Sequence, residues 1–272
     1  MKWRSVSMAC VAAMGLVACG DDTGGSGGGG EPGQQVKAEA NTVAGQVLDE
    51  RGAPVADALV SIWPAMFEGY VETHSDAKGL YRSVELNAKT NPYYAQAYKA
   101  VTYHGRRYCI RLAPAQHSDL DAFNASQGVV RNWRWRLTGD SGEAPDGIGS
   151  ESWGGSLEFD NHVNVSPDEP EWVERTQRIE VTLVPTGPLI DGSTGQTLVK
   201  QTRVQDGLGD LPVGQYTVTV SALETDGSKT PLKVSMDYTD EAPGTSAELL
   251  FDGFEQCGHS GTFVKTALWL SR

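Results

Sequence analysis

The side chains of this 272-residue chain whose types and spacing could do chemistry are three runs of carboxylates, five histidines and two tryptophans set apart from the apolar runs. The acids gather between Asp140 and Asp146, at Asp168-Glu169-Pro170-Glu171, and at Asp237-Tyr238-Thr239-Asp240-Glu241. Two carboxyls about 5–9.5 Å apart across a groove would cleave a glycosidic bond, and several converging from loops would hold calcium. In a chain this acidic, the simpler expectation is solvated loops. A zinc peptidase needs His and Glu three apart with a later His, or His-Glu-x-x-His, and none of His74, His104, His117, His162 and His259 has that neighbour. No metal site and no cofactor are therefore expected. Trp153 and Trp172 are the ligand-binding candidates, since an indole left partly exposed stacks on a sugar ring or anchors a protein partner. The competing use is to seal the edge of a sheet.

Two short matches to nucleophile motifs fail on context, so no catalytic residue is expected. Gly24-Gly25-Ser26-Gly27-Gly28 has the spacing of a nucleophile elbow but lies in a glycine run with no strand before it and no helix after it. Gly139-Asp140-Ser141-Gly142 matches the residues around the nucleophile of trypsin-like proteases. It continues as Glu143-Ala144-Pro145, and no small-residue-His-Cys segment supplies the base.

At the N-terminus, Lys2 and Arg4 precede an apolar run that ends at Leu16-Val17-Ala18-Cys19, followed at once by Gly20-Asp21-Asp22. The run is too short for a membrane span, which takes roughly 20 apolar residues, and has the build of an export signal. It resembles the signal of bacterial lipoproteins. That resemblance implies cleavage before Cys19, a thioether-linked diacylglycerol on its thiol, and a mature chain tethered to the membrane, since two or more acyl chains hold stably. Cys10, with Ser7 three residues before it, leaves with the leader. An ordinary secretory leader, cut at a small-x-small site to leave a soluble protein, is the alternative. Gly20 after the cysteine is compatible with outer-membrane sorting. Residues 19–39, rich in glycine, form a leash whose 20–33 stretch reaches roughly 20 Å as a coil.

The formal charge is −13, and removing Lys2 and Arg4 with the leader leaves 20 basic against 35 acidic residues, or −15. The densest basic segment, Arg131-Asn132-Trp133-Arg134-Trp135-Arg136, alternates with bulky apolar residues like a strand with one wet face. Nucleic acid is excluded as a partner. Besides Cys19 the mature chain keeps Cys109 and Cys257, which in an oxidising compartment read as one disulfide or, failing that, as two small buried hydrophobes.

The elements that must position these residues are strands. Helical periodicity is nearly absent, and short alternating runs punctuated by Gly, Pro, Asn and Asp recur throughout. A hairpin is expected from residues 94–103 and 107–112 around His104-Gly105, with Tyr108, Ile110 and Leu112 on one face. The segment Val43-Ala44-Gly45-Gln46-Val47-Leu48-Asp49-Glu50-Arg51-Gly52-Ala53-Pro54-Val55-Ala56-Asp57-Ala58-Leu59-Val60, with Ser75-Asp76-Ala77-Lys78-Gly79-Leu80-Tyr81, resembles the carboxypeptidase regulatory-like domain. The resemblance spans about residues 40–114 and implies a transthyretin-like β-sandwich that is an accessory module without catalytic residues. Ser118-Asp119-Leu120-Asp121 reads as the cap of a short helix to Asn124 and marks a boundary. Beyond it, Trp133, Trp135 and Leu137 share a face, and runs at 153–159, 179–183, 216–220, 232–236, 249–251 and 264–270 suffice for a second sandwich. Pro212-Val213-Gly214-Gln215-Tyr216 resembles the strand entry of prealbumin-like and adhesin modules. The loops 139–152 and 166–171, rich in turn formers and acids, are long enough to be functional.

The expected architecture is all-β. A leader occupies 1–18, a leash 19–39, a transthyretin-like sandwich 40–115 and a prealbumin- or immunoglobulin-like sandwich 116–272. The expected role is a non-catalytic, lipid-anchored envelope protein, placed at the outer membrane, that binds a glycan or an envelope protein. A hydrolase using acids of the second sandwich, and a structural subunit of an envelope complex, are the alternatives.

Overall fold

The computed structural model describes residues 36–141, 152–239, 243–253, 256–257 and 264–272. The leader, Cys19, the leash up to residue 35, His259 and the acids Glu143, Asp146, Asp240 and Glu241 lie outside them. No α-helix occurs among the described residues.

Nine strands build the first sandwich: β1 (Val43–Asp49), β2 (Ala58–Pro64), β3 (Val71–His74), β4 (Leu80–Arg82), β5 (Tyr93–Tyr103), β6 (Arg106–Arg111), β7 (Ala113–Pro114), β8 (Val129–Val130) and β9 (Trp133–Trp135). One sheet runs β4-β1-β9-β7 with β8 also on β1, and the facing sheet runs β3-β2-β5-β6. Between them Val43, Val47, Val60, Ile62, Ala97, Leu112 and Trp133 are buried in one core, as the alternation of the two inner faces requires.

The residues that carry the regulatory-like resemblance each have a structural use. A side chain at Gly45 would meet the Arg131 carbonyl, because β1 lies against the chain entering β9. Gly79 takes a positive φ of 72° with the Val47 carbonyl beside it. The Asp49 carboxylate accepts the backbone N–H groups of Arg51 and Ala53, and that of Asp76 accepts those of Lys78 and Leu80, closing two turns. Ser75 donates to the Val55 carbonyl and accepts from Ala58 N–H. The Tyr81 hydroxyl donates to the Arg131 carbonyl at 2.6 Å and accepts from Trp133 Nε1 at 3.1 Å.

The expected boundary at 115/116 falls inside this sandwich. β8 and β9, which come after it, pair in parallel with β1, so the first unit takes in the chain through Trp135. The expected helix from Ser118 is a single 3-10 turn, His117–Leu120, after which the chain returns to the first core with Phe123 and Ala125. Trp133 belongs to the first core and Leu137 to the second, while Trp135 touches both.

The second sandwich holds β10 (Gly155–Asn161), β11 (Arg178–Pro185), β12 (Leu198–Arg203), β13 (Leu208–Leu211), β14 (Gln215–Leu223), β15 (Lys229–Pro231), β16 (Lys233–Ser235), β17 (Ala247–Leu250) and β18 (Lys265–Ser271). Its sheets run β13-β10-β18-β16 and β12-β11-β14-β15, with β17 also on β14. Leu157, Ile179, Val181, Leu183, Val218, Phe251 and Leu268 fill the space between. The Tyr216 hydroxyl returns to the Pro212 carbonyl at 2.7 Å, which fixes the entry into β14.

One hairpin serves both cores. β5 and β6 meet at His104-Gly105, both at positive φ (47° and 76°), the turn that matches strand twist. Along one face of β5, Tyr93, Ala95 and Ala97 cover the first core, whereas Val101 and Tyr103 cover the second. On β6 the division repeats, with Tyr108 and Ile110 in the second core and Leu112 just beyond the strand in the first. Eleven residues at about 3.3 Å each make β5 roughly 35 Å long, enough to leave one sandwich and enter the other.

Candidate functional site

Where the hairpin enters the second sandwich, polar and covalent bonds hold it. The Tyr103 hydroxyl donates to the Pro188 carbonyl at 2.7 Å and accepts from Gln215 N–H at 3.0 Å. The Tyr108 hydroxyl donates to the Phe251 carbonyl at 2.5 Å, and burial pushes its pKa up to about 12 against the opposing pull of the Arg106 guanidinium. Arg106 Nη1 reaches the carbonyls of Leu250 and Phe251 and the Asp252 carboxylate, all at 3.2–3.3 Å. Cys109 and Cys257 form a disulfide with Cα atoms 5.2 Å apart. Of the two readings of these cysteines, the structure has the bridge. Because Cys109 points away from the Tyr108 face of β6, the segment after β17 grips the strand from both sides.

Trp153 lies beside this junction, half-buried. With Ile110, Arg111, Arg136, Leu137, Ile190, Val213 and Val264 it lines a narrow cleft with room for about one water molecule, too small for a small-molecule ligand. The Arg111 guanidinium sits 5.6 Å from the centre of the indole and donates to Gln96 Oε1 at 2.8 Å. One face of the ring is thus occupied by a cation–π contact, and Trp153 seals the seam between the sandwiches. Trp172, also half-buried, sits in a turn that returns to β10, where the Asn161 side chain both donates to and accepts from the Val173 backbone. The two tryptophans flank opposite ends of β10, roughly 20 Å apart, and do not share a site.

Several of the acids among the described residues act as turn clamps. The Asp237 carboxylate accepts from Thr239 N–H and hydroxyl, and that of Asp226 from the same two groups of Ser228. These bonds lower both pKa values. The Glu169 carboxylate accepts Ser166 N–H. Glu180 and Glu224 are lowered by hydrogen bonds, first from Lys229 and from Arg272 respectively. Asp119 moves the other way, raised by burial although Arg131 lies 3.1 Å away. A general acid at neutral pH needs a raised value in a cleft, and Asp119 is instead paired inside the first sandwich. Among the histidines, His74 pairs with Asp57 at 2.9 Å, His104 forms the hairpin turn, and His162 is buried with Nε2 lacking a protein partner among the described residues. No group of three or more His, Cys, Asp or Glu that could hold a metal occurs among the described residues.

The most exposed apolar side chains stand elsewhere, in the loop joining β2 to β3. Met66 is 81%, Phe67 56% and Tyr70 61% exposed, and at the loop's base Trp63 and Tyr94 lie 6.0 Å apart between ring centres. Three such side chains in one six-residue loop make an exposed apolar patch. The reading from sequence missed it. Its signal was the run Trp63-Pro64-Ala65-Met66-Phe67, which stays apolar after Pro64 has ended the strand.

No family model matches the chain, and no curated protein does. Among solved structures it is similar to the TIE protein of Bacillus anthracis, at 13% identity over 85% of this chain and 34% of that one, with a TM-score of 0.31. It is similar also to a leucine-rich repeat protein from Bacteroides thetaiotaomicron (13% identity, 85% and 27% covered, TM-score 0.23) and to a streptococcal ancillary pilin (11% identity, 85% and 63% covered, TM-score 0.25). The chain spans about a third or less of the first two. Likeness of this degree carries no functional inference; the all-β class rests on the sheets themselves.

Proposed function

We propose that the chain is an exported envelope protein, acylated at Cys19, that works by binding or by structural support and not by catalysis. The Cys109–Cys257 bridge carries the reading. Such bonds persist in oxidising compartments, and this one fastens the two sandwiches into a single displayed body. The leader that ends at Ala18 and the glycine-rich segment after Cys19 supply the address, since a lipid-held domain needs a spacer to stand off the headgroups. The non-catalytic part is supported, among the described residues, by Asp226, Asp237 and Glu224, whose carboxylates are engaged in turns or an ion pair that lower their pKa values. Sheet-built scaffolds that present loops are suited to recognising a glycan or a protein, though fold by itself does not assign a ligand.

Fractionation of cells expressing the full chain tests the address. The unaltered protein is expected in the membrane fraction, and Cys19→Ala in the soluble exported fraction. A Cys19→Ala chain that stays membrane-bound after export would contradict the anchoring.

A further inference from the structure

The exposed loop 65–70 lies at the same end of the body as the point where the leash enters. Asn41 N–H donates to the Ala125 carbonyl at 2.8 Å; two residues back, Phe123 exchanges both backbone bonds with Tyr93 at 2.8 Å; and Ala65 N–H donates to the Pro92 carbonyl at 2.8 Å. These strand-to-strand steps span about 20 Å in all. Val84, 65% exposed, belongs to the same end, because Ser83 N–H and Leu86 N–H donate to the carbonyls of Val43 and Asn41. Four of the nine large apolar side chains exposed among the described residues therefore crowd one pole. The second sandwich joins at the Tyr103 end of β5, some 35 Å from Tyr93 at the first pole.

We infer that this pole is a membrane contact: Met66, Phe67 and Tyr70 enter the interfacial layer of the bilayer that holds the acylated Cys19, so that the body stands on end with its second sandwich outermost. The inference rests on the anchoring proposed above. Sixteen residues lie between Cys19 and Val36, and a chain of that length spans at most about 55 Å, which keeps the pole within range of the surface. A loop too weak to bind lipid by itself then acts at the high local concentration a short tether supplies. Aromatic residues and methionine suit the interface, where an apolar body meets a wet headgroup layer. Glu68 within the loop and Glu72 just after it, both exposed, select a zwitterionic surface over an anionic one.

The mature chain retains two methionines, Met66 and Met236, and this makes the test direct. Full-length acylated protein is placed on phosphatidylcholine vesicles, and methionine oxidation by dilute peroxide is followed by mass spectrometry beside the Cys19→Ala chain with the same vesicles. Met66 should oxidise about fivefold more slowly in the acylated protein, with Met236 unchanged. The acylated Phe67→Ser/Tyr70→Ser variant, which alters exposed positions only, should return Met66 to the faster rate. Equal Met66 rates on a protein whose Cys19 carries the acyl mass overturn the contact and leave the anchoring intact. Absence of the acyl mass overturns both. Protection in native membranes but not on protein-free vesicles overturns the lipid contact and assigns the loop to a protein partner.

Discussion

The Tyr108 hydroxyl, on a strand of the first sandwich, donates to the carbonyl of Phe251 in the second at 2.5 Å, across 143 residues of sequence. Both groups are buried, so neither can fall back on water. Removing the hydroxyl leaves the carbonyl desolvated and unpaired, at a cost of about 1–3 kcal/mol. Tyr108→Phe is expected to lower the free energy of unfolding by that amount, with a lower denaturation midpoint, and to make proteolysis between the sandwiches easier. Equilibrium unfolding in urea, followed by limited proteolysis, checks both.

Reduction of Cys109–Cys257 should cost more. The bridge closes 148 residues of chain, and in the loop-entropy model a closure of that length constrains the unfolded state by about 5 kcal/mol, with native bridges more often worth about 2–5. Cys109→Ser/Cys257→Ser is expected to fold but to melt well below the parent. Because the bridge fastens the segment after β17 to β6, the second sandwich should lose hydrogen-exchange protection before the first.

Gly45→Ala tests why a glycine stands in β1. A methyl there would sit on the Arg131 carbonyl, and backbone cannot yield as a flexible side chain does. A loss of about 3 kcal/mol or more is expected, in the upper range for overpacking. Gly52→Ala offers the contrast. It has open space around it, and only its positive φ of 83° is strained. Its cost should be about 1–2 kcal/mol.

Acid should weaken the fold through the turn and ion-pair carboxylates. Asp226, Asp237, Glu180 and Glu224 have folded pKa values below their usual ones. The stability they confer is complete above the unfolded values and is lost as pH falls through the lowered folded values. Asp119, raised by burial, contributes with the opposite sign, its share being present at low pH and lost as pH rises through its folded value. Since the lowered groups outnumber it, the denaturation midpoint should fall from about pH 6 to about pH 3. Glu224→Gln should flatten that slope, whereas Asp119→Asn should steepen it.

The β5–β6 hairpin was legible because alternation and His104-Gly105 are local signals. The turns at Asp49 and Asp76, with Gly52 and Gly79 in them, rest on local signals as well. The boundary at 115 was not. Trp133-Arg134-Trp135 alternates equally well in either sandwich, and what places it in the first is a parallel pairing with Val47, Leu48 and Asp49, far back in the sequence. Strand β12, Leu-Val-Lys-Gln-Thr-Arg, escaped notice because an edge strand needs little apolar alternation. The pairing of Cys109 with Cys257 depended on a distance that spacing does not encode. Trp153 stood as a ligand candidate with edge-sealing as the competing use, and what the sequence did not show is the Arg111 guanidinium, from the other sandwich, over its ring.

The claim on which the functional account stands is the lipid on Cys19, and the mass of the N-terminal peptide of the mature protein tests it most directly. A peptide beginning at Cys19 with a diacylglyceryl thioether is the expected result. A peptide that begins elsewhere, or one that begins at Cys19 with a free thiol, would contradict it.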